Sequence, residues 1–171
     1  MTGRAYVLVA TLAGVGALAF TFGRGALPLY LWNASASVPV GLYRLQSTGE
    51  RYITELVAVL PPEPLAIFLA DGGYLPRGVP MLKHVLALPG QIVCRESLTV
   101  LVDGIAMGAA RQRDGRGRLL PVWQGCRVIA AGELFLMNWQ SADSLDGRYF
   151  GPIPASAVIG RAHPIWIEKE D

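Results

Sequence analysis

Cysteine and histidine are scarce in this chain, two of each among 171 residues. Cys94 and Cys126 lie far along the chain from His84 and His163, so no close ligand spacing exists, and neither a metal nor another cofactor is expected. Charge is sparse too: Asp, Glu, Lys and Arg make up 16% of residues, and the formal net charge is +2. So small a surplus gives no reason to expect a nucleic-acid partner. With 52% hydrophobic residues, the composition also excludes a disordered chain. Repeats and long low-complexity tracts are absent. One stretch has no charge at all: it runs from Ala5 to Gly23, with Arg4 and Arg24 at its ends.

At about 1.5 Å per residue, a helix over that stretch covers roughly the ~30 Å of bilayer hydrocarbon. Tyr30 and Trp32 follow, where aromatic side chains favour the membrane–water interface. Residues 1–32 therefore read as an N-terminal membrane anchor with an interface segment, and 33–171 as one exported domain. Arg4 places the N-terminus inside, although Arg24 blunts that signal. Ala17-Leu-Ala19 is a passable cleavage site, so removal of the segment stays open. Tyr6, Phe20 and Phe22 read as lipid-facing. Export to an oxidising compartment permits a disulfide between Cys94 and Cys126, which would contribute roughly 3–4 kcal/mol. Two buried free thiols are the alternative.

The 20 Gly and 12 Pro suit a turn-rich β domain better than a helical bundle. Extended segments are expected over Val38–Leu45, Glu55–Leu60, Met81–Leu88, Gln91–Arg95, Arg127–Ala130, Glu133–Asn138 and Ala157–Glu168. A short helix is expected over Pro64–Ala70, ended by Asp71-Gly72-Gly73. Leu98 to Met107 reads as a hairpin turning on Asp103-Gly104, a favoured type I′ pair. Arg111 to Arg118 reads as a basic, glycine-containing loop at a solvated hairpin tip. The fold expected is mainly β, with coiled antiparallel sheets, behind one transmembrane helix.

Three segments carry chemistry. Ser37 sits among small residues in Asn33-Ala-Ser35-Ala-Ser37-Val-Pro39-Val-Gly41-Leu-Tyr43, and its hydroxyl becomes a nucleophile only when a base takes its proton. Lys83 lies in Met81-Leu-Lys83-His-Val-Leu, and burial among such aliphatic neighbours would favour the neutral amine that a base requires. On a strand, Met81, Lys83 and Val85 share one face and His84 points away. The third segment, Asn138 to Pro152, is dense in hydrogen-bonding side chains able to fix a lysine amine. Alone, each piece has an ordinary alternative: a loop serine, a snorkelling lysine, a capped turn.

Together and in this order the segments resemble the type I signal peptidases, and most closely the TraF-type conjugative-transfer peptidases. The likeness rests on Asn33 to Tyr43, on Leu82-Lys83-His84-Val85 with Leu88-Pro89-Gly90-Gln91, and on Ser144-Leu-Asp146-Gly-Arg148-Tyr-Phe-Gly-Pro. Gly73-Tyr74-Leu-Pro76 adds to it. The resemblance implies a signal-peptidase-like fold and a membrane-anchored serine endopeptidase with a Ser37 nucleophile and a Lys83 general base. It further implies that Ser144 orients the Lys83 amine, that Asp146 and Arg148 support the site, and that Ser35 with the Ser37 N–H binds the oxyanion. The implied substrate is a membrane-delivered precursor such as pilin, matured with or without cyclisation. The implied setting is the bacterial inner membrane with the catalytic domain in the periplasm, beside other conjugative transfer proteins.

Departures from the signal-peptidase pattern are Pro39 two residues after the nucleophile, His84 for Arg, Gly147 for Ser and Gln91 for Asp. Three rival readings remain: a housekeeping signal peptidase, a catalytically inactive module of a secretion apparatus, and a triad of Ser37, His84 or His163, and Asp146.

Overall fold

The computed structural model describes residues 3–22 and 29–168, with side chains over 3–16 and 29–168. Helix α1, Gly3–Phe22, opens the chain. Tyr6, Val7, Leu8 and Val9 are all exposed, as are Leu12 and Val15. At 100° per residue the first four point in every direction, so α1 has no polar face among them. Among the described residues no helix is long and apolar enough to cross a membrane. Gly23 and Arg24, at the far end of the expected span, lie outside the described residues, as do the side chains of Ala17-Leu-Ala19, Phe20 and Phe22.

The rest is mainly β. Strands β1 (Tyr30–Asn33), β2 (Gly41–Gln46) and β3 (Leu56–Val59) lead to helix α2 (Glu63–Asp71) and strand β4 (Met81–Ala87). Then come β5 (Ile92–Glu96), β6 (Thr99–Val102), β7 (Ile105–Ala109), β8 (Gly125–Val128) and β9 (Glu133–Leu136). A one-turn helix α3 (Gly147–Phe150), β10 (Ile153–Pro154) and the long β11 (Val158–Ile167) complete the chain. One sheet has seven strands, ordered β1-β2-β11-β3-β4-β9-β10, and a second has four, ordered β7-β6-β5-β8. All these strand pairings are antiparallel.

Local chemistry sets the boundaries. Pro62 caps α2 without a side-chain bond, and Gly73 follows the helix with φ of 63°. Asp103 and Gly104 both take positive φ, 49° and 80°, which the two-residue turn between β6 and β7 requires. Strand β1, Tyr30–Asn33, straddles the division drawn from sequence at 32/33, pairing Tyr30 with Arg44 and Asn33 with Gly41.

Two buried clusters bear on the site. Leu86, Val93, Val100, Ile129, Phe135 and Met137 join the two sheets. Val38, Tyr43, Leu45, Ala58, Leu82 and Ala162 fasten the β1–β2 loop to the large sheet. Burial of such side chains, about 1.5–3 kcal/mol each, fixes where both segments lie. On the outside, exposed Trp32 and Trp166 stack with centroids 5.7 Å apart, near exposed Leu29, Tyr30 and Ile165.

Candidate active site

The loop between β1 and β2 carries Ser37, and Asn33 organises it. Asn33, 8% exposed, donates through Nδ2 to the carbonyls of Ser35 (2.8 Å), Val38 (3.0 Å) and Pro39 (3.1 Å). Tyr43, buried beneath, donates its hydroxyl to Pro39 O at 2.7 Å. Three carbonyl acceptors fix the amide's orientation, so Oδ1 accepts from Ser35 N–H (3.3 Å) and Ser35 Oγ (3.1 Å). A serine hydroxyl has one proton, and that of Ser35 is thereby used. In the 3.1 Å contact between Ser35 Oγ and Ser37 Oγ, Ser37 is therefore the donor. As it stands Ser35 accepts from Ser37, and serving an oxyanion requires its hydroxyl to swing away from Asn33.

Lys83, in the middle of β4 opposite Val57, is 5% exposed. Its Nζ donates to Ser144 Oγ at 2.9 Å. Burial, the largest cause, pushes its pKa from the ordinary 10.5 down to about 8; nearby Asp146 opposes the shift and Arg148 assists it. A cavity of about 480 Å³ has Ser35, Ser37, Leu82, Lys83 and Ser144 in its wall. Ser37 and Lys83 thus face one space, with no direct hydrogen bond between them among the described residues. Catalytic hydrogen bonds commonly tighten only with substrate in place. If Lys83 is the base, activity must rise with pH through about 8, since only the neutral amine can take a proton. An initial-rate profile flat from pH 6 to 9 would exclude that role.

The segment before and within α3 supplies Ser144 and its brace. Ser144, Asp146 and Arg148 are each at most 2% exposed. Asp146 caps α3, accepting from the Arg148 N–H at 3.2 Å, and also accepts from Asn138 N–H at 3.0 Å. Arg148 answers with Nε to Asp146 Oδ1 at 2.9 Å and Nη2 to Asp146 Oδ2 at 2.8 Å. Nη2 also reaches the carbonyls of Ser141 (2.6 Å) and Ser144 (3.2 Å). The ion pair therefore holds the very turn that presents Ser144 to Lys83.

The histidines are placed elsewhere. His84 Nδ1 lies 3.0 Å from Asn138 Oδ1, and its ring packs on Trp139 at 4.9 Å. His163 lies on β11 opposite Arg44. Neither is in the wall of the Ser37 cavity, so the triad reading loses its base.

The family model for signal peptidase, peptidase S26, matches residues 2–167. The chain belongs to that family. A conjugal transfer protein TraF of Agrobacterium fabrum is 33% identical over 97% of this chain and 98% of its own length. Another TraF, from Agrobacterium tumefaciens, is 37% identical over 80% of this chain and 82% of that one. A plasmid transfer protein TraF of Escherichia coli is 33% identical over 90% and 91%. The crystal structure of a signal peptidase I from Enterococcus faecalis aligns with a TM-score of 0.41 and 17% identity, covering 67% of this chain and 98% of that one.

Two departures from the signal-peptidase pattern have physical reasons. A Cβ on Gly147 would lie 2.6 Å from the Phe135 ring and 2.7 Å from Leu136 O, leaving no room for the usual serine. Gln91 accepts from Leu88 N–H at 2.9 Å and donates to Asp103 Oδ2 at 2.7 Å; an aspartate there would set two carboxylates together. In the smaller sheet Cys94 and Cys126 are direct cross-strand partners with bonded sulfurs. Glu96 is close by, but with both sulfurs in that bond no thiolate remains to hold a metal.

Two asparagines to which the sequence motifs give no role organise the site, and the first is Asn33. Asn138, 1% exposed, donates to Leu82 O (3.1 Å) and accepts from His84 N–H (3.0 Å), tying β4 on both sides of Lys83 to the Asp146 turn. A polar residue closing the apolar run Leu134–Met137 is the available signal.

Proposed function

We propose that this protein is a membrane-anchored serine endopeptidase that matures an exported precursor, a conjugative pilin. The observation that carries the reading is a buried lysine, its pKa lowered to about 8, on the same cavity as a half-exposed serine. Ser37 Oγ attacks the scissile carbonyl carbon while its proton passes to Lys83 Nζ. The Ser37 N–H, and the Ser35 hydroxyl once turned from Asn33, hold the oxyanion. Lys83 then protonates the leaving amine as the C–N bond breaks. Water, deprotonated by the same lysine, resolves the acyl-enzyme; an amine of the substrate would instead cyclise it. Ser144 keeps the Lys83 amine aimed throughout.

The TraF names of the relatives support the conjugation setting, and conjugative transfer proteins are the partners it implies. The all-round apolar exposure of α1 supports a lipid anchor. Stacked Trp32 and Trp166 beside Tyr30 suit the interface, with the catalytic domain in the periplasm.

The test is cleavage of a membrane-embedded pilin precursor by the full chain, with product masses recorded. We expect a cut after a small residue, and a product one water lighter than the linear peptide if an amine resolves the acyl-enzyme. Efficient removal of ordinary signal peptides with no action on pilin would favour a general signal peptidase. No cleavage of either would favour an inactive module.

A further inference from the structure

We propose that a second cavity, continuous with the Ser37 cleft, is a subsite for a carboxylate of the substrate polypeptide. It encloses about 410 Å³ and shares Tyr74, Asp143 and Leu145 with that cleft. Arg111, Arg116 and Arg118 line it against Asp114 and Asp143, three cations to two anions. The inference rests on the reading that Ser37 and Lys83 cut a polypeptide.

The loop from Arg111 to Arg118 is the exposed hairpin tip its composition implies, closed by an antiparallel bridge between Arg113 and Leu119, but it is also tied down. Tyr74 Oη donates to Asp114 Oδ2 at 2.6 Å, and Arg118 Nη1 donates to Gly72 O at 2.6 Å. Both bonds fold the loop onto the end of α2, beside the catalytic cleft. Asp114 is saturated within the loop: it also accepts from the N–H groups of Arg116 (2.9 Å) and Arg118 (2.8 Å) and from Arg118 Nε (2.7 Å). These donors, the Tyr74 hydroxyl first among them, hold its carboxyl far below the usual range. Asp114 and Arg118 therefore brace each other.

The other two arginines differ. Arg116 has no acidic partner among the described residues. Arg111 pairs with Asp143, but the two side chains are 49% and 77% exposed, so water screens the pair and another carboxylate can take its place. Asp143 already seats one carboxylate on Arg111 at the lip between the cavities. Arginine's planar fork suits a carboxylate of either kind, an acidic side chain or a free C-terminus. Because Asp143 directly precedes Ser144, whose hydroxyl receives the Lys83 N–H, an anion bound here lies beside the cleft that would hold the chain being cut. That continuity favours a peptide carboxylate over a lipid phosphate.

Fluorescein-labelled peptides of one apolar sequence with small residues at the cut are titrated against full-length Ser37→Ala protein in detergent. They carry no acid, one Glu at successive positions, or a free instead of an amidated C-terminus. Acidic peptides are expected to bind several-fold tighter than the neutral one. The preference should fade near 1 M salt, where the Debye length is about 3 Å. Arg116→Gln and Arg111→Gln should each bring the acidic-to-neutral ratio toward one, and the position giving the gain identifies which carboxylate is held. Equal binding of acidic and neutral peptides, or a ratio untouched by Arg116→Gln, overturns the proposal. So does Arg116-dependent binding of phosphatidylglycerol vesicles with no peptide preference. Acid-selective binding by a wild type that cuts none of these peptides would support the subsite while counting against the catalytic reading.

Discussion

Alanine at either Ser37 or Lys83 is expected to end precursor cleavage, and the double variant is expected to be no worse than either single one. A general base contributes about 10²–10⁴-fold, and without Ser37 no acyl-enzyme forms at all. Groups that act as a unit lose their effect together, so the two losses should not multiply. His84→Ala, on the same strand, should retain cleavage, because its ring packs on Trp139 and away from the Ser37 cavity. Lys83→Met separates chemistry from folding. Methionine keeps much of the volume and removes a buried cation, so the variant should be inactive yet melt at or above the wild-type temperature at pH 7.

The same lysine makes stability depend on pH in a definite direction. Its folded pKa, about 8, lies below the ordinary 10.5. Between those values the unfolded chain holds a proton that the folded one has released, so stability climbs as pH rises across that window. Lys83→Met should flatten the climb. Urea midpoints measured at pH 7.5 and 10 for both proteins decide it; an unchanged slope in the variant would show that Lys83 titrates as an ordinary exposed lysine.

Where the sequence was legible, one local rule sufficed. Asp103-Gly104 demands a tight turn, Pro61-Pro62 ends a strand and opens α2, and an aliphatic run around Lys83 makes a buried strand. Lys83, Ser144, Asp146 and Arg148 are legible as a set only through the resemblance to the signal peptidases, since the segment around Ser144 alone reads equally as a capped turn. What stayed hidden depends on contacts across the sheet. Tyr30 to Trp32 has the composition of an interface segment and becomes β1 only because β2 pairs with it. The basic loop is solvated as its composition implies, but its tether to Tyr74, 40 residues before its aspartate, is not legible locally. The resemblance to the signal peptidases makes Ser35 an oxyanion donor. Only the position of Asn33 Oδ1 reveals that its proton is already engaged.

Arg148→Ala is expected to have the largest effect on folding. Its guanidinium, on a side chain 2% exposed, meets Asp146, itself 0% exposed at the side chain, at 2.8 Å. Removing one partner of a buried pair typically costs about 3–5 kcal/mol, because the remaining charge is left uncompensated. Against a total stability of about 5–15 kcal/mol, that is enough to lower the melting temperature sharply or to prevent folding. Asp146→Asn keeps the shape but removes the anion, and because Oδ1 accepts from Arg148 N–H and Oδ2 from Asn138 N–H, the amide can keep only one of those two backbone contacts. The two residues also act oppositely on Lys83, whose pKa Asp146 raises and Arg148 lowers. The pH–rate profile should therefore move to lower pH in Asp146→Asn. In any folded Arg148 variant, such as Arg148→Gln, it should move to higher pH. Reduced rates with no displacement of the profile would mean that the pair only holds the turn. Displacements of opposite sign would mean that it also sets the charge state of the base.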